Sequence, residues 1–214
     1  MLYDLSLLFT VGVGLWIILD LLRGVSRSVE LVQLLAFAAT VSLWAGGELA
    51  IQLGRDASDY LFGRRMLYVG ACFLPLIWLW IAARAAEARW LRGGPWLLVL
   101  GAVPPVMFYS CLYWDTQGRF VGWYELEPVV GPWFWGYAFY GWALVLTGTC
   151  YLISLAFRHG TARPLRAAAI LLAASAPLIA NVTHLFSDFA GNDLTPILLG
   201  VGCVLLRVAV IDAG

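Results

Sequence analysis

Long apolar segments fill nearly the whole chain, and short polar connections separate them. The segments are each about 18 to 24 residues long, and a helix of about 20 residues crosses the hydrocarbon layer of a bilayer. The pattern therefore predicts an all-α, polytopic membrane protein in which a bundle of seven transmembrane helices forms a single domain. We place the spans at about residues 5–22, 29–53, 65–85, 96–114, 134–157, 167–187 and 194–211.

One connection is longer than the others. Residues 115–133 are too few for a domain, yet residues 119–125 alternate in polarity as a small extended turn does. We expect this connection to lie as a lid over one mouth of the bundle.

The composition agrees with a protein whose surface faces lipid. Hydrophobic residues make up 62% of the chain and charged residues only 12%, against about 25% charged residues in a soluble domain. The net charge is zero and no run of basic residues occurs, so a nucleic-acid partner is not expected.

The arginines predict the orientation, because cytoplasmic connections are enriched in basic residues. Nine of the 13 arginines fall in the first, third and fifth connections or near the C-terminus. The other four, on the opposite side, are Arg55, Arg64, Arg65 and Arg119. This bias predicts that the N-terminus is outside and the C-terminus is cytoplasmic.

The chain lacks the residues that several cofactors need for binding. The chain has no lysine, so it cannot form a retinal Schiff base. Only His184 lies in a predicted span, whereas His159 is in a connection, so a bis-histidine haem site is not expected. The four cysteines lie in spans without a paired spacing, which favours packing over zinc or disulfides. We expect no catalytic residue, cofactor or metal.

Aromatic residues concentrate in one stretch of the chain. Residues 108–142 hold 14 of the 31 rings, over the outer half of helix 4, the long connection and the outer half of helix 5. Either these rings form an interfacial belt or they line an outer cavity. The cavity interpretation gives five candidate ligand-binding residues: Tyr109, Tyr113, Trp135, Phe139 and Tyr140.

Polar groups, whose burial in a membrane costs free energy, lie in the same outer half of the predicted bundle. Glu48 is near the outer end of helix 2, and Trp44 is one turn away on the same face. In helix 6, the spacing of Pro177, Asn181 and His184 places them on one stripe. An ionisable residue at membrane depth marks a functional site by default. The alternative is that these polar groups only join helices to one another.

Two further features belong to this outer layer. Arg64 and Arg65 open helix 3 from the outer side, where either side chain can pair with Glu48 or extend to the interface. Pro75 and Pro104 lie inside predicted spans, where proline kinks a helix and frees carbonyl groups that neighbouring helices or water must meet. Kinks beside polar groups favour a cavity.

Four short motifs carry a family resemblance. They are Trp44 with Glu48 in helix 2, Arg65-x-x-Tyr68-Val69-Gly70-x4-Pro75 in helix 3, Pro177 with Asn181 in helix 6, and Asp193-Leu194-Thr195-Pro196 before helix 7. With these motifs the whole chain resembles the N-terminal seven-transmembrane sensor region of certain bacterial sensor histidine kinases and some diguanylate cyclases.

The resemblance implies an input module in the bacterial inner membrane, a homodimer and a cytoplasmic kinase output module. The chain has no kinase motif after helix 7, so we expect no catalysis from it. The outer end of helix 4 lacks the Asn or His of many relatives, which leaves the identity of the ligand open.

Three functions remain at this point. The first is a receptor that binds a small aromatic or amphipathic ligand from the outer side, fixed by Trp44, Glu48, Arg65, Tyr68, Asn181 and His184. The second is a small transporter or membrane enzyme, although internal repeats and a nucleophile with its base are missing from the sequence. The third is an accessory scaffold whose polar groups only pack helices.

Overall fold

The computed structural model describes residues 2–23, 29–88, 99–106, 121–124, 127–130, 132–159, 164–186 and 194–210. Its helices are α1 (Leu2–Arg23), α2 (Val29–Leu53), α3 (Ala57–Ala85), α4 (residues 99–106), α5 (Pro132–His159), α6 (Pro164–Phe186) and α7 (Thr195–Val210). Between α4 and α5, β1 (Val121–Tyr124) and β2 (Glu127–Val130) form an antiparallel hairpin.

The helices close into a ring around one core. The helix α1 contacts α2, α2 contacts α3, and α5 packs on α3 and α6. Leu100 of α4 packs against Leu79 and Ala83 of α3. The last helix, α7, contacts α6, α1 and α2. Phe37, Trp78, Leu152, Ile170 and Leu199 fill the middle and are at most 1% exposed. This is the expected helical bundle.

The outer surface of the bundle is strongly apolar. On α1 alone, Leu8, Phe9, Trp16 and Leu22 are each more than half exposed, and a water-soluble monomer rarely presents such a continuous apolar surface. Four described helices are long and apolar enough to cross a membrane: Tyr3–Arg23, Leu31–Leu53, Ser58–Ala85 and Trp133–Arg158. The protein is therefore a multi-pass membrane protein.

A short hairpin is the one non-helical element among the described residues of this helical bundle. The extended turn expected at residues 119–125 is a two-stranded ladder that pairs Val121 with Val130 and Tyr124 with Glu127. Valine and aromatic residues favour extended backbone, which accounts for strands in this connection. We call the end of the bundle where α2 ends, α3 begins and α5 follows the hairpin the hairpin end.

The third helix begins eight residues before its predicted start at residue 65. Asp56 caps it, because its carboxylate accepts hydrogen bonds from the backbone N–H groups of Ser58 at 2.8 Å and Asp59 at 2.9 Å. These bonds, the one from Asp59 above all, hold the pKa of the Asp56 carboxyl below its usual value. The first turns of α3 are polar, so a hydropathy pattern does not reveal them.

Glycines allow the backbones of α2 and α3 to touch. A Cβ atom on Gly70 would lie 2.4 Å from the Thr40 carbonyl oxygen and 2.7 Å from the Trp44 nitrogen. A Cβ on Gly63 would lie 2.8 Å from the Gly47 carbonyl oxygen. Lipid provides no hydrophobic drive between helices, so close packing of this kind stabilises their association.

Substitution of Gly70 by alanine tests this contact. Because the obstructing atoms belong to the backbone of α2, Gly70→Ala must separate the helices, and we expect a loss of about 1–3 kcal/mol in the free energy of unfolding. Gly12→Ala is the matched control, since a Cβ there meets nothing within 4 Å. Thermal unfolding in detergent measures both variants, and equal stability would contradict the close contact.

Candidate functional site

A proline in α3 leaves one carbonyl group without its helical donor. Pro75 lies inside the helix and has no N–H, so the carbonyl of Ala71, four residues earlier, lacks its usual partner. The hydroxyl of Tyr137 on α5 donates a hydrogen bond to this oxygen at 2.5 Å. A buried tyrosine of one helix thereby satisfies the backbone of another.

The same arrangement recurs in α4. Pro104 lies within its helical residues, and the carbonyl that it leaves free is that of Leu100. The hydroxyl of Tyr140 donates to the Leu100 oxygen at 2.9 Å. Tyr137 and Tyr140 are three residues apart on α5 and share a face. For Pro75 and Pro104, this confirms that neighbouring helices meet the carbonyl groups that proline frees.

An aromatic cluster surrounds these tyrosines. Tyr137 packs with the buried residues Tyr68 and Cys72 of α3, and the partly buried rings of Trp44 and Tyr140 lie against them. We call these five residues the tyrosine cluster. They join α2, α3 and α5 in the half of the bundle nearer the hairpin end.

One polar group of α2 belongs to this cluster, and a second lies one turn away on the same helix. The indole Nε1 of Trp44 is buried, and no hydrogen-bond partner for it occurs in the part of the chain that the structure describes. Glu48, one turn further along α2, is 9% exposed. A hydrogen-bond donor and a carboxyl group therefore lie one turn apart on one helix face.

A polar stripe of Tyr60, Arg64 and Tyr68 leads along α3 towards the cluster. The Nε and Nη2 atoms of Arg64 donate to the Tyr60 hydroxyl at 3.3 Å and 3.0 Å, and Arg64 also interacts with Tyr68. Each residue is one helical turn from the next. Arg65 is exposed, so Arg64 is the arginine that shares a face with Tyr68. The four-residue spacing of Tyr60, Arg64 and Tyr68 in the sequence indicates that they share one helix face.

The structure describes the side chains of seven of the eleven predicted ligand-binding residues. Trp44, Tyr68 and Tyr140 meet in the tyrosine cluster, with Glu48 one turn from Trp44. Trp135 and Phe139 are 43% and 64% exposed on the surface of α5, and Arg65 is exposed on α3. The side chains of Asn181 and His184 in α6, together with Tyr109 and Tyr113, lie outside the described residues.

Sequence reasoning missed Tyr137 and Cys72 as members of this site. Tyr137 is 66 residues from its acceptor Ala71, and no local pattern connects them. Within the described residues, no group of three or more His, Cys, Asp or Glu side chains can hold a metal ion.

Removal of the Tyr137 hydroxyl tests whether the proline-freed carbonyl depends on it. Tyr137→Phe leaves a buried acceptor unsatisfied, and we expect a loss of about 1–3 kcal/mol in unfolding free energy. Thr147→Val is the matched control on α5, because the Thr147 hydroxyl bonds its own helix at the Ala143 carbonyl, which keeps its helical N–H donor. Thermal unfolding of both variants in detergent should show a clear loss only for Tyr137→Phe.

Almost the whole chain matches one known protein family. The family described as the N-terminal 7TM region of histidine kinase matches residues 4–213. Neither the curated proteins nor the solved structures gave a match. Because the family match covers nearly every residue, the chain belongs to the N-terminal seven-transmembrane region family of histidine kinases.

Proposed function

We propose that this chain is the ligand-sensing input region of a bacterial signalling receptor and binds a small molecule at the tyrosine cluster. The family is the membrane region of histidine kinases, which implies a cytoplasmic kinase output module in the full protein. The signal passes from the cluster through the bundle to α7 and from there to that module.

The observation that carries the proposal is the buried Trp44 indole N–H without a partner among the described residues. A buried donor left unsatisfied costs about 1–3 kcal/mol, and a ligand acceptor bound there recovers that energy. The surrounding rings supply apolar contact area, and a few placed polar groups fix orientation, as in typical small-molecule sites.

The chemistry of the cluster defines the ligand class. A small aromatic or amphipathic molecule stacks on the rings, accepts a hydrogen bond from Trp44 and places a donor near Glu48. Asn181 and His184 of α6, with Tyr109 and Tyr113, complete the site in this proposal. Trp135 and Phe139 have no part in it, since their exposure on α5 suits contact with lipid or a second subunit.

The direction of signalling follows from the arginine bias. With seven spans, the N-terminus outside and the protein in the bacterial inner membrane, the hairpin end faces outwards and the end of α7 faces the cytoplasm. The ligand then enters from the outer side beneath the hairpin, which serves as a lid. A homodimer of the receptor presents two copies of α7 to the kinase module.

One observation favours the scaffold function instead. The hydroxyls of Tyr137 and Tyr140 both bond backbone carbonyls of neighbouring helices, so part of this polar cluster joins helices. A scaffold, however, does not account for the buried indole N–H of Trp44. In the receptor proposal this group donates a hydrogen bond to the ligand.

Ligand binding can be tested with paired tryptophan variants. Trp44→Phe keeps a ring but removes the N–H, and Glu48→Gln removes the charge; each should weaken binding by about tenfold or more, the equivalent of one hydrogen bond. Trp135→Phe is the matched control, because it makes the same chemical change at an exposed position of α5. The measurement is the thermal shift of the chain in nanodiscs across a panel of small aromatic acids, phenols and amines.

The same variants test signalling when the chain is joined through α7 to a histidine kinase module. A compound that shifts the melting temperature should change autophosphorylation in the native chain and in Trp135→Phe, but not in Trp44→Phe. If affinity and response are unchanged in both Trp44→Phe and Glu48→Gln, the tyrosine cluster is not the ligand site.

A further inference from the structure

A second polar group of residues lies far from the tyrosine cluster, towards the other end of the bundle. The Nη2 atom of Arg207 on α7 lies 2.5 Å from a carboxylate oxygen of Asp20 on α1. The same guanidinium lies over the ring of Trp16, 4.8 Å from its centroid. Trp16 and Asp20 are one turn apart on α1, so one arginine covers both.

The environment of Arg207 indicates that this contact is specific. Its side chain is 22% exposed and that of Asp20 is 41% exposed, so both are partly withdrawn from the surface. The Nε atom of Arg207 is buried and without a hydrogen-bond partner among the described residues. An arginine about one turn from the end of a membrane helix ordinarily extends towards the interface, whereas this one turns to α1.

The other contact between α1 and α7 has a different physical character. Gly200 packs on Thr10, and a Cβ atom at Gly200 would lie 2.8 Å from Thr10 Cγ2. Gly200 precedes Arg207 by seven residues, about 10 Å along one helix face. Because Gly200 has no side chain, α7 packs closely against Thr10 of α1 at this position. Towards its C-terminal end, α7 packs in the core through Cys203 and Leu206, and the charge attraction and ring contact of Arg207 add to that packing.

We propose that Asp20, Trp16 and Arg207 form a clamp that holds the C-terminal end of α7 on α1, and that opening it lets α7 pivot at Gly200. Ion pairs and cation–π contacts are individually modest, so a ligand that binds two bundle arrangements unequally can shift the clamp between closed and open states. That α7 carries the signal rests on the proposed function; the closed clamp and its effect on α7 do not.

Hydrogen–deuterium exchange on the chain in nanodiscs measures how firmly the end of α7 is held. Asp20→Asn and Arg207→Gln remove one charge each, and amide exchange in the last two turns of α7 should rise about tenfold. Trp16→Leu removes only the ring contact and should give a rise of about threefold. Exchange in α3 should stay at its native rate in every variant.

The reciprocal variant Asp20→Arg with Arg207→Asp restores an ion pair of opposite direction. It keeps the number of arginines at this end of the bundle, so the orientation rule is unaffected. We expect its α7 exchange to return to within about twofold of the native rate. Arg23→Gln is the matched control, since Arg23 is exposed at the same end of α1, and it should exchange like the native chain.

Native exchange in the single variants, or exchange in the reciprocal variant as fast as in the single variants, would overturn the clamp. If the single variants fail to fold, a folded reciprocal variant supports the clamp and an unfolded one overturns it. The experiment uses neither ligand nor kinase. Its failure therefore leaves the ligand site standing, and failure of ligand binding leaves the clamp standing.

Discussion

The need of a buried backbone carbonyl for a hydrogen-bond donor explains the contacts of α5 with α3 and α4. In hydrocarbon no water is available for an unpaired carbonyl, and prolines in α3 and α4 each remove one helical donor. Tyr137 and Tyr140 of α5 supply the missing bonds at Ala71 and Leu100. The position of α5 therefore depends on free carbonyl groups in α3 and α4. The aromatic cluster forms where Tyr137 and Tyr140 reach those carbonyls.

Close backbone packing completes the rigid part of the molecule. Gly63 and Gly70 bring α3 onto α2, and Gly148 of α5 lets Trp78 of α3 approach within contact distance. Together with the tyrosine bonds, these contacts make α2, α3 and α5 one unit. The last helix, α7, packs into the same core through Leu199, Cys203 and Leu206. Against α1 it also has a close contact at Gly200 and a charged contact at Arg207. These two contacts differ in physical character, which suits α7 to transmit a change of state.

Hydropathy predicted the positions of the helices better than the directions in which their side chains point. The bounds of α2 were correct at both ends, because its apolar run is complete, whereas the start of α3 was missed because its polar first turns depend on the Asp56 cap. Hydropathy does not distinguish the adjacent Arg64 and Arg65, whose side chains point about 100° apart on a helix. The structure shows that Arg64 is the one on the face of Tyr68. The position of Pro75 identifies the carbonyl that needs a donor, but the donor lies on another helix and only the three-dimensional structure reveals it.

The bond between Tyr137 and Ala71 links two positions that sequence separates widely. A relative with an ordinary residue in place of Pro75 regains the helical N–H, and its Ala71 carbonyl no longer needs the tyrosine. A relative that keeps the proline but loses the tyrosine hydroxyl bears an unpaired carbonyl in the interior of the bundle. Positions 75 and 137 should consequently evolve as a pair, and so should positions 104 and 140.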